Sequence, residues 1–266
     1  MNTIELIKAD DRKLFVLMKL SQYFSLFIII SVCCLTMKST AQDSSSLPQK
    51  RSLFSYLEKK SLLDDGGIRA ENSRSDSIDI LDYHISLSIT DFTSKMIGGN
   101  CTISLRSKIE DCSFIDLDLL GLTIDSAKQN NEALTFTYSN DVLLRVYFVQ
   151  PLNTGDSTAI TVYYRGIPQV DVTGWGGFYF SGDYAYNLGV GFGADPHPFG
   201  RAWFPCFDNF IERSTFHFSI TTANTKMALC NGELTSAIEN GDGTKTWNWQ
   251  MIQTIPSYLA CVAVGT

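Results

Sequence analysis

From Asp76 onward, hydrophobic and polar residues alternate with a period of two, which is typical of strands with one buried and one solvated face. The first run has hydrophobic residues at 81, 83, 85, 87 and 89. Similar runs recur at short intervals, over residues 101–105, 115–119, 134–138, 142–148, 160–164, 216–220, 247–251 and 258–264. Because no long helical pattern separates them, they predict an all-β domain of antiparallel strands, either a β-sandwich or strongly curved sheets.

The pattern changes between residues 166 and 200. Here glycines alternate with aromatic residues, among them Trp175, Tyr179 and Phe192. Glycine permits positive φ angles and close approach of the backbone, so we expect an irregular, aromatic-rich loop or edge region. Loops of this kind on a rigid β scaffold often carry ligand contacts.

Residues 1–41 have the features of an export signal. The hydrophobic run 23–35 is shorter than the roughly 20 residues that span a bilayer, and Lys19 supplies a positive flank. We therefore expect a signal peptide that ends at Ala41, with Met18 as an alternative start. This predicts a periplasmic or extracellular protein without a stable membrane anchor. The competing interpretation is an uncleaved anchor.

The remainder of the chain divides into a linker and one domain. Residues 42–75 are polar with little periodicity, which predicts a linker, and residues 76–266 predict a single β domain. The formal charge is -7, from 21 basic and 28 acidic residues. Removing the signal's five basic and three acidic residues gives 16 against 25, or -9. Nucleic acids and anionic membranes need a basic patch, so we expect neither as a partner.

Five cysteines remain after the signal: Cys101, Cys112, Cys206, Cys230 and Cys261. Export permits disulfides, but an odd number leaves at least one thiol unpaired. None of the five forms a CxxC pair, which argues against metal binding by cysteine. We expect Cys206 and Cys261 to be small buried apolar side chains.

The most specific motif is Gly-Arg-Ala-Trp-Phe-Pro-Cys-Phe-Asp at residues 200–208. A Tyr-His-Ile-Ser-Leu strand at 83–87 precedes it, an Asn-Gly turn at 231–232 follows it, and Pro-Ser-Tyr-Leu-Ala at 256–260 runs into Val-Ala-Val-Gly. In this order the motifs resemble the N-terminal domain of the aminopeptidase N family of zinc metallopeptidases. The resemblance covers about residues 78–266.

The resemblance implies a saddle-like all-β domain that packs in cis beside a zinc catalytic domain and forms one wall of a peptide-binding cleft. In that family, HExxH on a helix supplies two zinc ligands and the glutamate base. No HExxH occurs in these 266 residues. We therefore expect the non-catalytic front of an exported zinc aminopeptidase, truncated before the domain that holds zinc. It would have no cofactor or metal of its own and would be inactive alone.

The family signature corresponds here to Arg201, Pro205, Cys206 and Asp208, and we expect structural roles for all four. A lone acid beside a proline, such as Asp208, is typically an acceptor in a turn or helix cap. We expect Arg201 to pair with an acid or with backbone carbonyls. The sequence therefore offers no catalytic residue.

The chain departs from the family pattern after the signature, where Asn209-Phe210 follow Asp208 in place of the usual Glu-Pro, and at two positions before it. The family tends to place glutamine or glutamate side chains of the first substrate subsite where this chain has Ala194 and Pro196, so that contact does not carry over. Asp195 and His197 are candidates to replace it at the rim of the substrate cleft. The alternative is that both residues only shape a turn.

The three histidines, His84, His197 and His217, lie on separate predicted elements. His84 and His217 occupy the solvated faces of strands, and we expect no zinc site from these residues. The alternative function is a stand-alone secreted β-sandwich that binds a peptide or glycan. In that case exposed Trp175 and Tyr179 would supply stacking surface, although burial in the core is the commoner fate of aromatic residues.

Overall fold

A computed structural model describes residues 74–266; the predicted signal and nearly all of the predicted linker lie outside this range. Residues 74–77 are helical, and two 3₁₀ turns occur at Gly200–Ala202 and Ser257–Leu259. The other regular elements are strands: β1 Ile78–Asp91, β2 Met96–Ser107, β3 Cys112–Asp118, β4 Thr123–Gln129, β5 Glu132–Ala133, β6 Phe136–Ser139, β7 Leu143–Leu152, β8 Ser157–Gly166, β9 Gly177–Ser181, β10 Tyr184–Leu188, β11 Ser214–Ala223, β12 Met227–Cys230, β13 Glu233–Glu239, β14 Thr244–Ile255 and β15 Val262–Gly265.

The strands of this region form three open sheets, which confirms the predicted all-β class. The large sheet has eight strands in the order β13-β14-β11-β1-β2-β8-β4-β5. A four-stranded sheet has the order β12-β15-β10-β9, and a three-stranded sheet has the order β3-β7-β6. The buried faces of all three contribute to one hydrophobic core. Burial of each large side chain there contributes about 1.5–3 kcal/mol.

One strand pairing differs from the antiparallel expectation. β1 pairs with β2 in an antiparallel hairpin on one side, but with β11 in parallel on the other. The parallel register places Asp82 opposite Thr215, and His84 opposite His217. Alternation within each strand predicts which face is buried but not the direction of a partner far along the chain. No feature of the sequence therefore predicts that these two histidines are neighbours.

The expectation of an irregular loop or edge region between 166 and 200 is confirmed for the edge, because this segment contains the β9–β10 hairpin and β9 is the outer strand of the four-stranded sheet. The regular strands of the hairpin are not foreseen by it. Phe178 and Ala185 point into the core from the two strands, while Tyr179 and Tyr186 stack on the opposite face with ring centroids 5.3 Å apart. Gly182 adopts φ of 58° in the turn. The many glycines of the segment hide the short alternation of buried and exposed side chains in these two strands.

Strands β4 and β13 were not predicted. In β4 the buried positions are occupied by Ala127 and Gln129, which give almost no hydrophobic signal. β13 is an edge strand whose seven residues are all exposed. Neither strand therefore shows the hydrophobic alternation on which a prediction depends.

All five cysteines in the described region are free thiols. Cys206 is fully buried, as expected, and burial raises the pKa of its thiol well above the ordinary value. The expected burial of Cys261 is wrong. Its neighbours Ala260 and Val262 point into the core, so Cys261 faces solvent.

The start of the described region packs against the β domain. The Arg74 guanidinium lies 3.0 Å from the Asp118 carboxylate, and Ser75 Oγ accepts a hydrogen bond from Asn209. Residues 74 and 75, at the end of the predicted linker, thus belong to the folded part. Across residues 74–266, no helical segment has the length and hydrophobicity to cross a bilayer.

Candidate functional site

The signature segment lies inside the fold. After the 3₁₀ turn Gly200–Ala202, the side chains of Trp203, Phe204 and Phe207 are buried. Phe204 contacts the edge of Tyr83 at a ring-centroid distance of 5.5 Å, and the Tyr83 hydroxyl accepts the Phe207 N–H. The backbones of Cys206 and Asp118 exchange two hydrogen bonds. The segment therefore fastens the sheets to one another from within the core.

Asp208 is the only acid of the signature segment, residues 200–208, and its carboxylate makes several contacts. Its carboxylate accepts hydrogen bonds from the backbone N–H groups of Gly200 and Arg201, each at 3.1 Å, and from Ser257 Oγ at 2.9 Å. A guanidinium nitrogen of Arg201 lies 3.4 Å away. Asp208 thus satisfies the first N–H groups of one 3₁₀ turn and links them to the start of the second.

Burial raises the pKa of Asp208 to about 6, and the charge of Arg201 opposes this shift. The carboxyl's ordinary pKa is 3.8, so the folded state retains its proton at pH values where the unfolded chain has lost it. This contribution to stability is complete below about pH 4 and is lost as the pH rises through about 6.

We predict that the wild-type chain loses about 2 kcal/mol of unfolding free energy between pH 4 and pH 7 relative to Asp208→Asn, whose amide does not titrate. Urea denaturation of both proteins at a series of pH values measures the difference, in which the other titrating groups cancel. If the free energies of unfolding of the two proteins change with pH in parallel, the raised pKa of Asp208 is contradicted.

The loop before the signature carries the two predicted rim residues, and we call residues 195–197 the rim loop. Asp195 and His197 are both exposed, and they flank Pro196, whose peptide bond to Asp195 is cis. The Pro196 carbonyl accepts a hydrogen bond from Arg201 at 3.0 Å, and His197 Nδ1 lies 3.0 Å from the Gly191 carbonyl. The hydrogen bond from Arg201 to Pro196 thus places Asp195 and His197 next to the signature segment.

A second loop supports the same rim. Asp171 Oδ1 accepts hydrogen bonds from the N–H groups of Thr173 and Gly193, so it joins loop 171–176 to loop 191–194. At the surface of this junction, the rings of Trp175 and Phe192 stack with centroids 5.8 Å apart. The two side chains remain 52% and 65% exposed. The junction is therefore ordered by polar contacts and has an apolar surface.

Sequence reasoning missed three of the residues that build this region. Asp171 had a local signal, because Asp-x-Thr favours side-chain hydrogen bonds to the following backbone. Ser257 lies in the motif at residues 256–260, but neither it nor Asp118 had a local signal for its contact with Asp208, since each reaches the signature from a turn or strand far away in sequence. Within residues 74–266, no group of three or more His, Cys, Asp or Glu side chains is arranged to hold a metal ion.

Comparisons with known proteins agree with this architecture. The family model of the Peptidase M1 N-terminal domain matches residues 80–259. Leucine aminopeptidase 2 of Vanderwaltozyma polyspora is 26% identical over 206 residues, which cover 73% of this chain and 29% of that protein.

Two solved structures share the fold. The M1 zinc metallopeptidase from Deinococcus radiodurans is 23% identical with a TM-score of 0.63, over 71% of this chain and 42% of its own. The leukotriene A4 hydrolase from Saccharomyces cerevisiae is 20% identical with a TM-score of 0.54, over 72% of this chain and 29% of its own. The chain thus spans less than half the length of these relatives. Because the family model matches most of its length, the chain belongs to the Peptidase M1 N-terminal domain family.

Proposed function

We propose that this chain is the N-terminal domain of an exported zinc-dependent aminopeptidase, in which it forms one wall of the peptide-binding cleft. The observation that carries the proposal is the family match over residues 80–259. The alignments with the relatives cover only 29–42% of those longer proteins. The remaining length of those proteins leaves room for a zinc catalytic domain in cis. The signal-like residues 1–41 support export.

The rim loop supports the role as a cleft wall. Asp195 and His197 are exposed on a backbone that is held by Arg201, which donates to the Pro196 carbonyl, and by the Gly191 N–H, which donates to the His197 carbonyl. A carboxylate at a fixed position is suited to bind the free ammonium group of a peptide through charge-assisted hydrogen bonds. In this proposal Asp195 contacts the amino end of the substrate and His197 lies beside it.

The described residues do not fit a zinc ion of the catalytic kind, because they offer no three-residue ligand group. Zinc would be held by the catalytic domain, where it activates water for attack on the peptide bond. This chain's contribution is therefore substrate positioning and support of the wall. Its buried signature keeps the rim loop in place.

The coding frame beyond Thr266 tests this proposal. We predict that the gene's frame continues into a G-x-M-E-N segment and then HExxH, the zinc-binding motif of this enzyme class. A stop codon directly after Thr266 in the intact genomic locus would contradict a catalytic domain in cis.

A second candidate function is a stand-alone module for a peptide or glycan. One observation favours it: the stacked rings of Trp175 and Phe192 remain largely exposed at the surface. Exposed aromatic faces provide large, rigid contact area for ligands. The same stop codon after Thr266 would favour this candidate over the first.

A further inference from the structure

The solvated face of the large sheet carries a histidine pair away from the rim loop. His84 on β1 and His217 on β11 are directly opposite each other in the parallel register. Their ring centroids are 5.9 Å apart. His84 is exposed and the His217 side chain is 42% exposed, so both rings are accessible from solvent.

The hydrogen bonds determine which nitrogen of each ring carries a proton. His217 Nδ1 lies 3.0 Å from the Asp82 carboxylate, which accepts, so in the neutral form of the ring Nδ1 is the donor and Nε2 has the lone pair. His84 Nε2 lies 3.0 Å from Ser219 Oγ. The single Ser219 proton is donated to Asn248 Oδ1, so Ser219 accepts from His84 and leaves the lone pair on Nδ1.

Each neutral ring therefore offers one unprotonated nitrogen, which is the form that binds metals. The spacing of the rings is also suitable. A Zn–N bond of about 2.0–2.1 Å, added to about 1.1 Å from nitrogen to ring centre, places two rings on one tetrahedral ion with centroids about 5.2 Å apart. The observed 5.9 Å is longer than this by less than 1 Å, so rotation of the two solvent-accessible rings has to bring them slightly closer to share an ion.

Asp82 has the position of an outer-shell partner. Metal-binding histidines usually donate their other ring N–H to a carboxylate, which fixes the ring orientation and increases ligand basicity. Asp82 makes this contact to His217 and is itself held by a hydrogen bond of 2.6 Å from Thr215 Oγ1.

We propose that His84 and His217 form a two-imidazole binding site for a divalent first-row transition metal such as Zn²⁺ or Ni²⁺, with Asp82 orienting His217. Water molecules would complete the coordination of the ion. The site is independent of the zinc of the proposed catalytic domain, and it lies on the sheet face opposite the core. Hard cations such as Mg²⁺ prefer oxygen ligands and are not expected to bind.

Isothermal titration of the untagged 266-residue chain with NiCl₂ at pH 7.5 tests the site. We expect the wild type to bind one Ni²⁺ that the double variant His84→Asn/His217→Asn does not bind. Each single asparagine variant should weaken binding at least tenfold. Asp82→Asn should weaken it about 10- to 100-fold while both ligands remain.

Two matched controls separate this site from other metal ligands of the chain. His197→Asn removes the remaining histidine, and Cys261→Ser removes an exposed thiol; neither should change the histidine-dependent binding. A thermal melting curve of each variant that coincides with the wild-type curve shows that the variant is folded. Failure of the wild type to bind Ni²⁺, or equal binding by the double variant, would overturn the site and would leave the proposed aminopeptidase function unaffected.

Discussion

Replacing Asp208 with alanine is expected to lower the free energy of unfolding by about 3–5 kcal/mol at pH 7. The change removes the acceptor for the Gly200 and Arg201 N–H groups and for the Ser257 hydroxyl. It also leaves the Arg201 guanidinium, whose side chain is 11% exposed, without its acid partner. Buried donors and a buried charge that lose their partners retain the full cost of desolvation.

Urea denaturation of the wild type and Asp208→Ala measures this effect. Asp183→Ala is the matched control, because the Asp183 side chain is 81% exposed and Lys226, whose side chain is 12% exposed, keeps its hydrogen bond to the Asp183 backbone carbonyl. That control should change stability by no more than about 1 kcal/mol. If both variants unfold at the wild-type urea concentration, Asp208 does not hold the two 3₁₀ turns together.

The strands with clear alternation could be predicted from sequence, and β1, β2 and β8 lie where the pattern indicates. Their buried positions are hydrophobic and their solvated positions are polar, so the two-residue period is strong. β13 could not be found because an edge strand with no buried side chain has no such period. The β9–β10 hairpin was hidden by glycines that also suit irregular loops.

The signature could be located from sequence, but its contacts could not. Proline, cysteine and acid in a fixed order identify Pro205, Cys206 and Asp208 as a unit. Nothing local reveals that Ser257, 49 residues away, reaches the Asp208 carboxylate. The pairing of His84 with His217 is equally hidden from the sequence, because it depends on a parallel register between two strands that are far apart along the chain.

The second large effect concerns catalysis. The 266-residue chain is expected to release no p-nitroaniline from aminoacyl-p-nitroanilides above the uncatalysed background, because it lacks HExxH. The acid of its signature is buried, and its oxygens accept hydrogen bonds from backbone and serine donors, so it is not available to act as a base. The protein encoded by a frame that continues through HExxH should cleave the same substrate.

The most direct test of the central claim is therefore the hydrolysis of L-leucine p-nitroanilide by the purified chain and by the longer protein, each with and without 1,10-phenanthroline. The account predicts no turnover by the chain alone and turnover by the longer protein that the chelator abolishes. Chelator-sensitive turnover by the 266-residue chain itself would contradict its proposed role as a non-catalytic wall.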